Sequence, residues 1–453
     1  MSTPRVVVAG AGITGLAAAF TLREAAAARH TPIDIVVIDA ADEAGGHARS
    51  ISEHGFLVER GPNGFLDRGS ETLALIDELN LRSRLIESNP AARRRFILAG
   101  GKLRRVPESP PALIASDAIG WRGKLRLLRE PWASAPPVDR DETVFEFAER
   151  RLGREAAETF VDTAVAGISA GDSRTLSVKS QFPVLPEMER AHGSLLKAML
   201  ARRNGSRARL LSLDRGLGTI ANTIGSRLNG SLRLGTSIDS IEKGSAGWRI
   251  HLNSAAPLDA DHLVLALPAH AAAAVVGGFD RELAKPLAAI PYAGITMVAL
   301  AYRAADLSRP LDGYGYLVTR GEDLATLGVL WESSVFADRA PAGAALLRVM
   351  MGGARRPEVG DLDDHTVAQL AVQETAAVLG TSARPMHQWV CRWPAAIAQY
   401  TVGQQSRLSE IKQRAHTHRG LHICGTAYDG VSFNDAIASG RRAARAVVEE
   451  LAA

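Results

Sequence analysis

Arg5-Val-Val-Val-Ala9 runs directly into Gly10-Ala11-Gly12-Ile13-Thr14-Gly15, and then into the alanine-rich stretch Leu16–Arg29. The first five residues are apolar and β-branched, the composition of a strand covered on both faces. Leu16, Phe20 and Leu22 offer one apolar side of a helix. His30-Thr-Pro32 ends that helix, because proline disfavours helical backbone in the residue before it. Ile33–Ile38 is again β-branched, and Asp39 closes it. The pattern is strand, glycine turn, helix, strand, acid. In such a βαβ unit Gly10 permits the tight turn, Gly12 lets a pyrophosphate approach the backbone, and Gly15 lets helix and strand pack closely. Ala11 and Thr14 sit in the same turn, at a helix N-terminus whose N–H groups and dipole favour phosphate. Asp39 stands where a ribose hydroxyl would be bound, and an acid there argues against a 2′-phosphate. A dinucleotide cofactor is expected.

Beyond Asp39 the chain reads Ala40-Ala-Asp-Glu-Ala-Gly45-Gly46-His47-Ala48-Arg49-Ser50. Two glycines and an arginine suit a second loop against an extended cofactor, with Arg49 placed to pair a phosphate. This favours FAD over NAD. Further on, Glu71–Leu81 reads as helical, and so do Asp141–Phe160 and Gly193–Arg203. Trp248, Ile250 and Leu252 alternate as in a half-buried strand, and His262–Pro268 reads as a buried one. Strands are expected at 292–303, 314–319, 327–332, 345–351 and His422–Gly425, and a closing helix at Ala436–Leu451.

The chain has 453 residues, enough for a large core without staples. Two cysteines, Cys391 and Cys424, exclude a disulfide framework and an iron–sulfur cluster, and fit a reducing, cytoplasmic setting. Net charge is +4, yet Arg93–Arg129 holds ten Lys/Arg against Glu108 and Asp117. The basic character is therefore local, which argues against a nucleic-acid partner and leaves three uses open: a more acidic substrate, peripheral membrane contact through 93–129, or a solvated face. The start, Met1-Ser-Thr-Pro-Arg5, does not read as a signal peptide, and no run of apolar residues is long enough to span a bilayer. No G-x-S-x-G or HExxH occurs, His416 and His418 read as solvated or capping residues, and no metal is expected.

Several ordered stretches resemble the protoporphyrinogen/coproporphyrinogen oxidase family, within the FAD-dependent amine oxidase superfamily. They are Gly55-Phe-Leu-Val-Glu59-Arg-Gly61-Pro62-Asn63-Gly64-Phe65; Asp141–Val144 with Ala166–Asp172 and Leu176-Ser177; Gly313–Val318; Met351-Gly352-Gly353; Arg392-Trp393-Pro394 with Gln399-Tyr400; and Gly425–Asp435. The resemblance implies an α/β fold: a discontinuous Rossmann-like FAD domain (1–62, 205–270, 415–453), a mixed-sheet substrate domain (63–89, 271–414), and a helical insertion (90–204). It implies a porphyrinogen substrate that loses six electrons in three steps through FAD to oxygen, with no catalytic side chain. It places Gly10, Ala11, Gly12, Thr14, Gly15, Asp39, Gly45, Gly46, Arg49, Gly61, Asn63, Ile238, Trp393, Gly425, Val431 and Phe433 at the cofactor. Asn63, Tyr314, Gly315, Leu317 and Met351 fall at the substrate. Asn63, Ser169 and Gln404 depart from the family's pattern, and they raise the alternative of another cyclic or amine substrate for the same flavin machinery. A flavin-free binding protein of the same fold is a third reading, against which the intact glycine loop stands.

Overall fold

A parallel sheet of five strands carries the glycine loop. In spatial order its strands are Leu232–Arg233, Asp34–Ile38, Arg5–Ala9, His262–Leu265 and Leu421–Ile423. The computed structural model describes residues 3–134, 140–201, 208–244, 247–253 and 255–452. Three distant parts of the chain thus meet in one sheet. Val6, Val8, Val37 and Val264 face one side, in a core with Leu16, Phe20, Ile437 and Val447 of the helices Ile13–Arg29 and Phe433–Ala452. Val7, Leu263 and Leu265 face the other, against Ile241, Trp248 and Ile250 of an antiparallel three-stranded sheet and the helix Ala269–Val276. The two long helices touch at Gly440, where a Cβ would lie 2.1 Å from the Thr14 carbonyl oxygen. Glycine there sets how near the closing helix can come to the loop.

A second sheet has seven strands, ordered His387–Ala398, Tyr292–Arg303, Ala344–Gly352, Thr326–Leu330, Gly315–Val318, Arg95–Ala99 and Lys102–Arg105. All pairs are antiparallel except Gly315–Val318 with Arg95–Ala99. The reading of 90–204 as helical is therefore corrected at its start: two strands from that segment complete this sheet. Basic side chains mask the strand pattern there, since the strand lies near the sheet's edge and needs only one apolar face. His387–Ala398, at the opposite edge, escaped the sequence reading because Pro394 interrupts it; an edge strand tolerates proline.

Helices then follow from Pro110 to Ala201. The expected helix Asp141–Phe160 is in fact two. Thr143 and Glu146 form a reciprocal capping box that starts Val144–Leu152, and Gly153 at φ +89° ends it. The expected helix 193–203 is observed as Leu195–Ala201, and its end lies outside the described residues, as does the boundary drawn at 204/205.

Glu59, at the end of the strand Phe56–Glu59, is 1 % exposed. Its carboxylate accepts from Ser50 Oγ (2.6 Å) and Leu217 N (3.0 Å), fastening this strand to the helix Gly218–Arg227. Burial pushes the carboxyl up to about 6 from 4.5, against the pull of Arg339 and these hydrogen bonds. The folded state therefore holds the proton more tightly than the unfolded chain. The contribution to stability is fullest below the unfolded value and is lost as pH rises through about 6. Glu59→Gln carries no such titration. Urea unfolding from pH 4 to 7.5 should show wild type losing about 2 kcal/mol relative to the variant; a constant gap would refute the assignment.

Candidate active site

The glycine loop is held open by its surroundings. Gly10 has φ +104°, and a Cβ would meet Ala266 O at 2.6 Å. At Gly15 a Cβ would meet Gly10 O at 1.9 Å. These two glycines are demanded by the protein's own backbone. Gly12 differs: its φ of −66° suits any residue, and a Cβ there finds nothing within 4 Å. Glycine at 12 keeps free a surface that the protein itself leaves open. The helix it starts has no side-chain cap and no acid in its first turn. Exposed first-turn N–H groups and an open approach form a cradle for pyrophosphate. The second loop lies on the first, as Gly45 N donates to Ala11 O (2.8 Å) and Gly46 abuts Gly12.

Asp39 braces this cradle. Its two oxygens accept from Ala11 N (2.6 Å) and Ala41 N (2.8 Å), leaving lone pairs for hydroxyl donors. Thr236 N donates to the Asp39 carbonyl (2.9 Å), so Ile238 sits at the start of the next strand, a few residues from the acid. Arg49 turns from open solvent onto Glu43 (2.8 Å) and Gly46 O (3.1 Å), with its guanidinium 5.8 Å from the Trp393 ring centre. A phosphate would have to share it with the exposed Glu43.

From this cradle a cavity of about 610 Å³ runs toward the seven-stranded sheet. At its cofactor end stand Ile13, His47, Gly61, Trp393, Val431 and Phe433. Trp393 Nε1 donates to Arg60 O (2.6 Å), and its ring meets His47 edge-on at 4.3 Å. Burial, helped by Arg49, lowers His47 to about 4, so this wall is neutral at ordinary pH. Gly425, at φ +136°, donates its N–H to Ser439 Oγ (2.9 Å) and has only Tyr428 within 4.0 Å of a would-be Cβ. It leaves a bare backbone path beside the first sheet.

At the other end are Tyr314, Gly315 and Leu317, as the sequence reading has them, with Phe96, Ile97, Phe160, Ile295 and Met297. Gly315 is needed because a Cβ would lie 2.0 Å from Val329 O on the adjacent strand. Met351 is corrected: it is fully buried on the sheet's other face, in the core with Val367 and Ala371 of the helix Asp364–Leu379. Its neighbour Met350 lines the cavity instead, paired across the ladder with Met297. Adjacent strand residues point to opposite faces, so the reading was one position off in parity. His418, read as solvated or capping, is three-quarters or more buried and bonds Asp280 Oδ2 at 2.8 Å.

Sequence reasoning missed Thr163 and Arg348. Thr163 is 1 % exposed, and its Oγ1 has no partner; Asn63 is 7 % exposed, and its Nδ2 has none. Both line the cavity, and two orphaned polar atoms in one pocket indicate ligand contacts. Arg348 is paired with buried Glu332 (2.8 Å) and donates to the Gly61 carbonyl, holding the Gly61–Asn63 turn. Among the described residues no carboxylate, lysine or cysteine lines the cavity. The two other departures from the expected pattern face elsewhere: Ser169 Oγ donates to Val165 O, and Gln404 Nε2 to Ala427 O.

An open glycine cradle braced by Asp39 and an apolar cavity between two sheets are the arrangement of a cofactor-dependent oxidoreductase. The chain belongs to the family of flavin containing amine oxidoreductases, which it matches over residues 13–448. It is 33 % identical to human protoporphyrinogen oxidase over 480 residues, covering 98 % of each chain. It is 27 % identical to coproporphyrinogen III oxidase of Bacillus subtilis strain 168, covering 97 % of this chain and 96 % of that one. The crystal structure of a candidate protoporphyrinogen oxidase from Exiguobacterium sp. 255-15 superposes with TM-score 0.88 at 23 % identity, over 99 % and 100 % of the two chains. Flavin is the family's cofactor, and the cradle at Gly12 fits it.

Gly12→Ala and Gly15→Ala separate cofactor space from packing. The alanine at 12 should fold with the melting temperature of the flavin-free wild type yet purify with little flavin absorbance. The alanine at 15 should destabilise the fold itself, by about 1–3 kcal/mol or more. Equal flavin retention in Gly12→Ala and wild type would refute the cradle.

Proposed function

We propose that the chain oxidises a porphyrinogen to the porphyrin with FAD bound and oxygen as acceptor, in haem biosynthesis. The carrying observation is the cavity: apolar walls, neutral His47, and, among the described residues, charge supplied by Arg95 and Arg348 alone. A cationic amine would find no carboxylate there. A large apolar macrocycle with carboxylate arms matches both features. The names of the relatives support the same reading, as does the position of Ser169 and Gln404 away from the cavity.

FAD is the flavin this reading requires, because Asp39 and the helix N-terminus address a ribose and a pyrophosphate that a shorter flavin lacks. Bound there, FAD supplies the electron acceptance, two electrons per oxidation. The side chains do the positioning. Asn63 Nδ2 and Thr163 Oγ1 offer hydrogen bonds to the ligand from the lining. Tyr314, hydrogen-bonded to Asn63 at 3.5 Å, carries the Arg95 guanidinium 5.4 Å from its ring centre. Arg95 has no carboxylate partner among the described residues, which suits it to a substrate carboxylate. Leu317, Met297 and Met350 exclude water from the ring. Over three turnovers the porphyrinogen gives up six electrons and six protons, and three oxygen molecules become three of hydrogen peroxide.

The test supplies protoporphyrinogen IX and coproporphyrinogen III separately to the purified yellow protein without oxygen, then admits oxygen and follows porphyrin fluorescence. Turnover of one or both well above a no-enzyme control is expected. Arg95→Leu should raise KM roughly tenfold with kcat little changed, the cost of one charged hydrogen bond. A flavin-loaded protein inert to both substrates overturns the proposal and leaves an oxidase of another substrate.

We also propose peripheral contact with an anionic membrane through the basic segment. On the helix Trp121–Leu128, Trp121 (66 %) and Leu128 (59 %) are exposed, and Trp132 (80 %) follows. Arg122, Lys124 and Arg126 interleave with them, an arrangement suited to an interfacial helix. No helix among the described residues is long and apolar enough to cross a membrane. Co-sedimentation with phosphatidylglycerol vesicles but not with phosphatidylcholine is expected, and its loss in Trp121→Glu/Trp132→Glu. Equal binding by that variant would refute this surface.

A further inference from the structure

At the foot of the five-stranded sheet, on the end away from the glycine loop, two imidazoles and a carboxylate converge. His262 opens the strand His262–Leu265, and His422 lies on the neighbouring strand Leu421–Ile423. The register pairs Val264 with His422, so His262 and His422 sit diagonally on one face. Their rings are 5.8 Å apart between centroids and nearly parallel, at 27°. Glu450, in the last turn of the helix Phe433–Ala452, reaches over both: its Oε2 is 3.6 Å from His262 Nδ1, and its Oε1 is 3.6 Å from His422 Nε2.

Both side chains are nine-tenths buried, and neither nitrogen has a hydrogen-bond partner. At 3.6 Å they stand too far from Glu450 for a hydrogen bond. Buried, unpaired nitrogens are costly, and most such atoms in folded proteins are satisfied. The spacing is nevertheless close to what a shared ion would impose. Ligands at about 2.1 Å from a tetrahedral zinc stand about 3.4 Å from one another. The ligand atoms all lie within 4.8 Å of one another, and no other trio of this kind occurs among the described residues.

We propose that His262 Nδ1, His422 Nε2 and a Glu450 oxygen bind a divalent transition-metal ion of the zinc class, with water as the fourth ligand. Two imidazole nitrogens and one carboxylate form a borderline donor set, which selects zinc-like ions over magnesium or calcium. Burial lowers both histidines, leaving them neutral and ready to ligate at neutral pH. Asp261 adds favourable charge near His262, and Arg419 opposes it. The ion would fasten the last turn of the closing helix to the edge of the sheet. That helix also carries Gly440 against Thr14, so the metal would hold the glycine loop's support from its far end. The site uses none of the cofactor or cavity residues and is independent of the proposed substrate.

The flavin-loaded full chain, freed of metal and titrated with zinc chloride in a calorimeter at pH 7.5, tests this. One-to-one binding is expected, together with a raised melting temperature and no response to magnesium. His422→Ala and Glu450→Gln should each weaken zinc binding by at least about tenfold, while flavin absorbance and turnover stay at wild-type levels. Zinc-edge X-ray absorption should report two imidazoles among its ligands. Glu450 is on an exposed helix end, so Glu450→Gln tests the site even if His422→Ala fails to fold. Absence of one-to-one zinc binding, or binding of unchanged strength in the Glu450→Gln variant, overturns the proposal.

Discussion

The first turn of the helix Ile13–Arg29 must stay bare, and much of the architecture serves that constraint. A helix start normally draws a side-chain cap, yet Gly12 supplies none. Its N–H groups are kept pointing at open space by contacts behind them. Gly15 lets the helix sit on Gly10, Asp39 takes up the Ala11 amide, and Gly440 brings the closing helix within touching distance of Thr14. The contacts at Gly15 and Gly440 are backbone-close, and each would be pushed apart by a single methyl group. The sheet's odd composition, with strands from residues near 5, 35, 232, 263 and 422, follows from the need to support this one turn from both faces.

The cavity answers a different demand. It lies between the parallel sheet, which leaves backbone bare at Gly12 and Gly425, and the seven-stranded sheet, whose inner side chains are large and apolar. Buried charge nearby is paired: Arg348 with Glu332, and Glu59 with Arg339 and the Leu217 amide. These pairs shape the Gly61–Asn63 turn without presenting an acid to the cavity. The buried side-chain atoms left unpaired there, Asn63 Nδ2 and Thr163 Oγ1, are polar and neutral, and the charge without a carboxylate partner among the described residues is the cationic Arg95. An electron-transfer site needs this quality more than it needs an acid or base, because the cofactor carries the reaction and the protein orients the substrate against it.

Legibility in the sequence followed the range of the interactions. The first βαβ unit was readable because its signals are local: β-branched runs, glycine spacing, and an acid at a strand end. The strands at 292–303 and 344–352 announced themselves by apolar length. The strand at 387–398 did not, since Pro394 is acceptable only at a sheet edge, and edge position is a tertiary fact. The strands at 95–99 and 102–105 were hidden among arginines for the same reason. Met351 came to the substrate side by resemblance of the Met351–Gly353 stretch, and strand parity, which a motif match does not carry, puts Met350 there instead.

The amino-acid order alone determined the glycine turn between strand and helix, the acid at the end of the second strand, the alternation of the main strands and the family, since each rests on neighbours within one element or on ordered motifs. Only the tertiary structure decided which residues share a wall. Thr163 lines the same cavity as Asn63 because the helix Asp162–Ser169 of the insertion packs against the second sheet. His262, His422 and Glu450 meet because two parallel strands and a returning helix converge at one end of the first sheet. Such meetings depend on register and packing between elements far apart in the chain, and no local pattern of residue types encodes them.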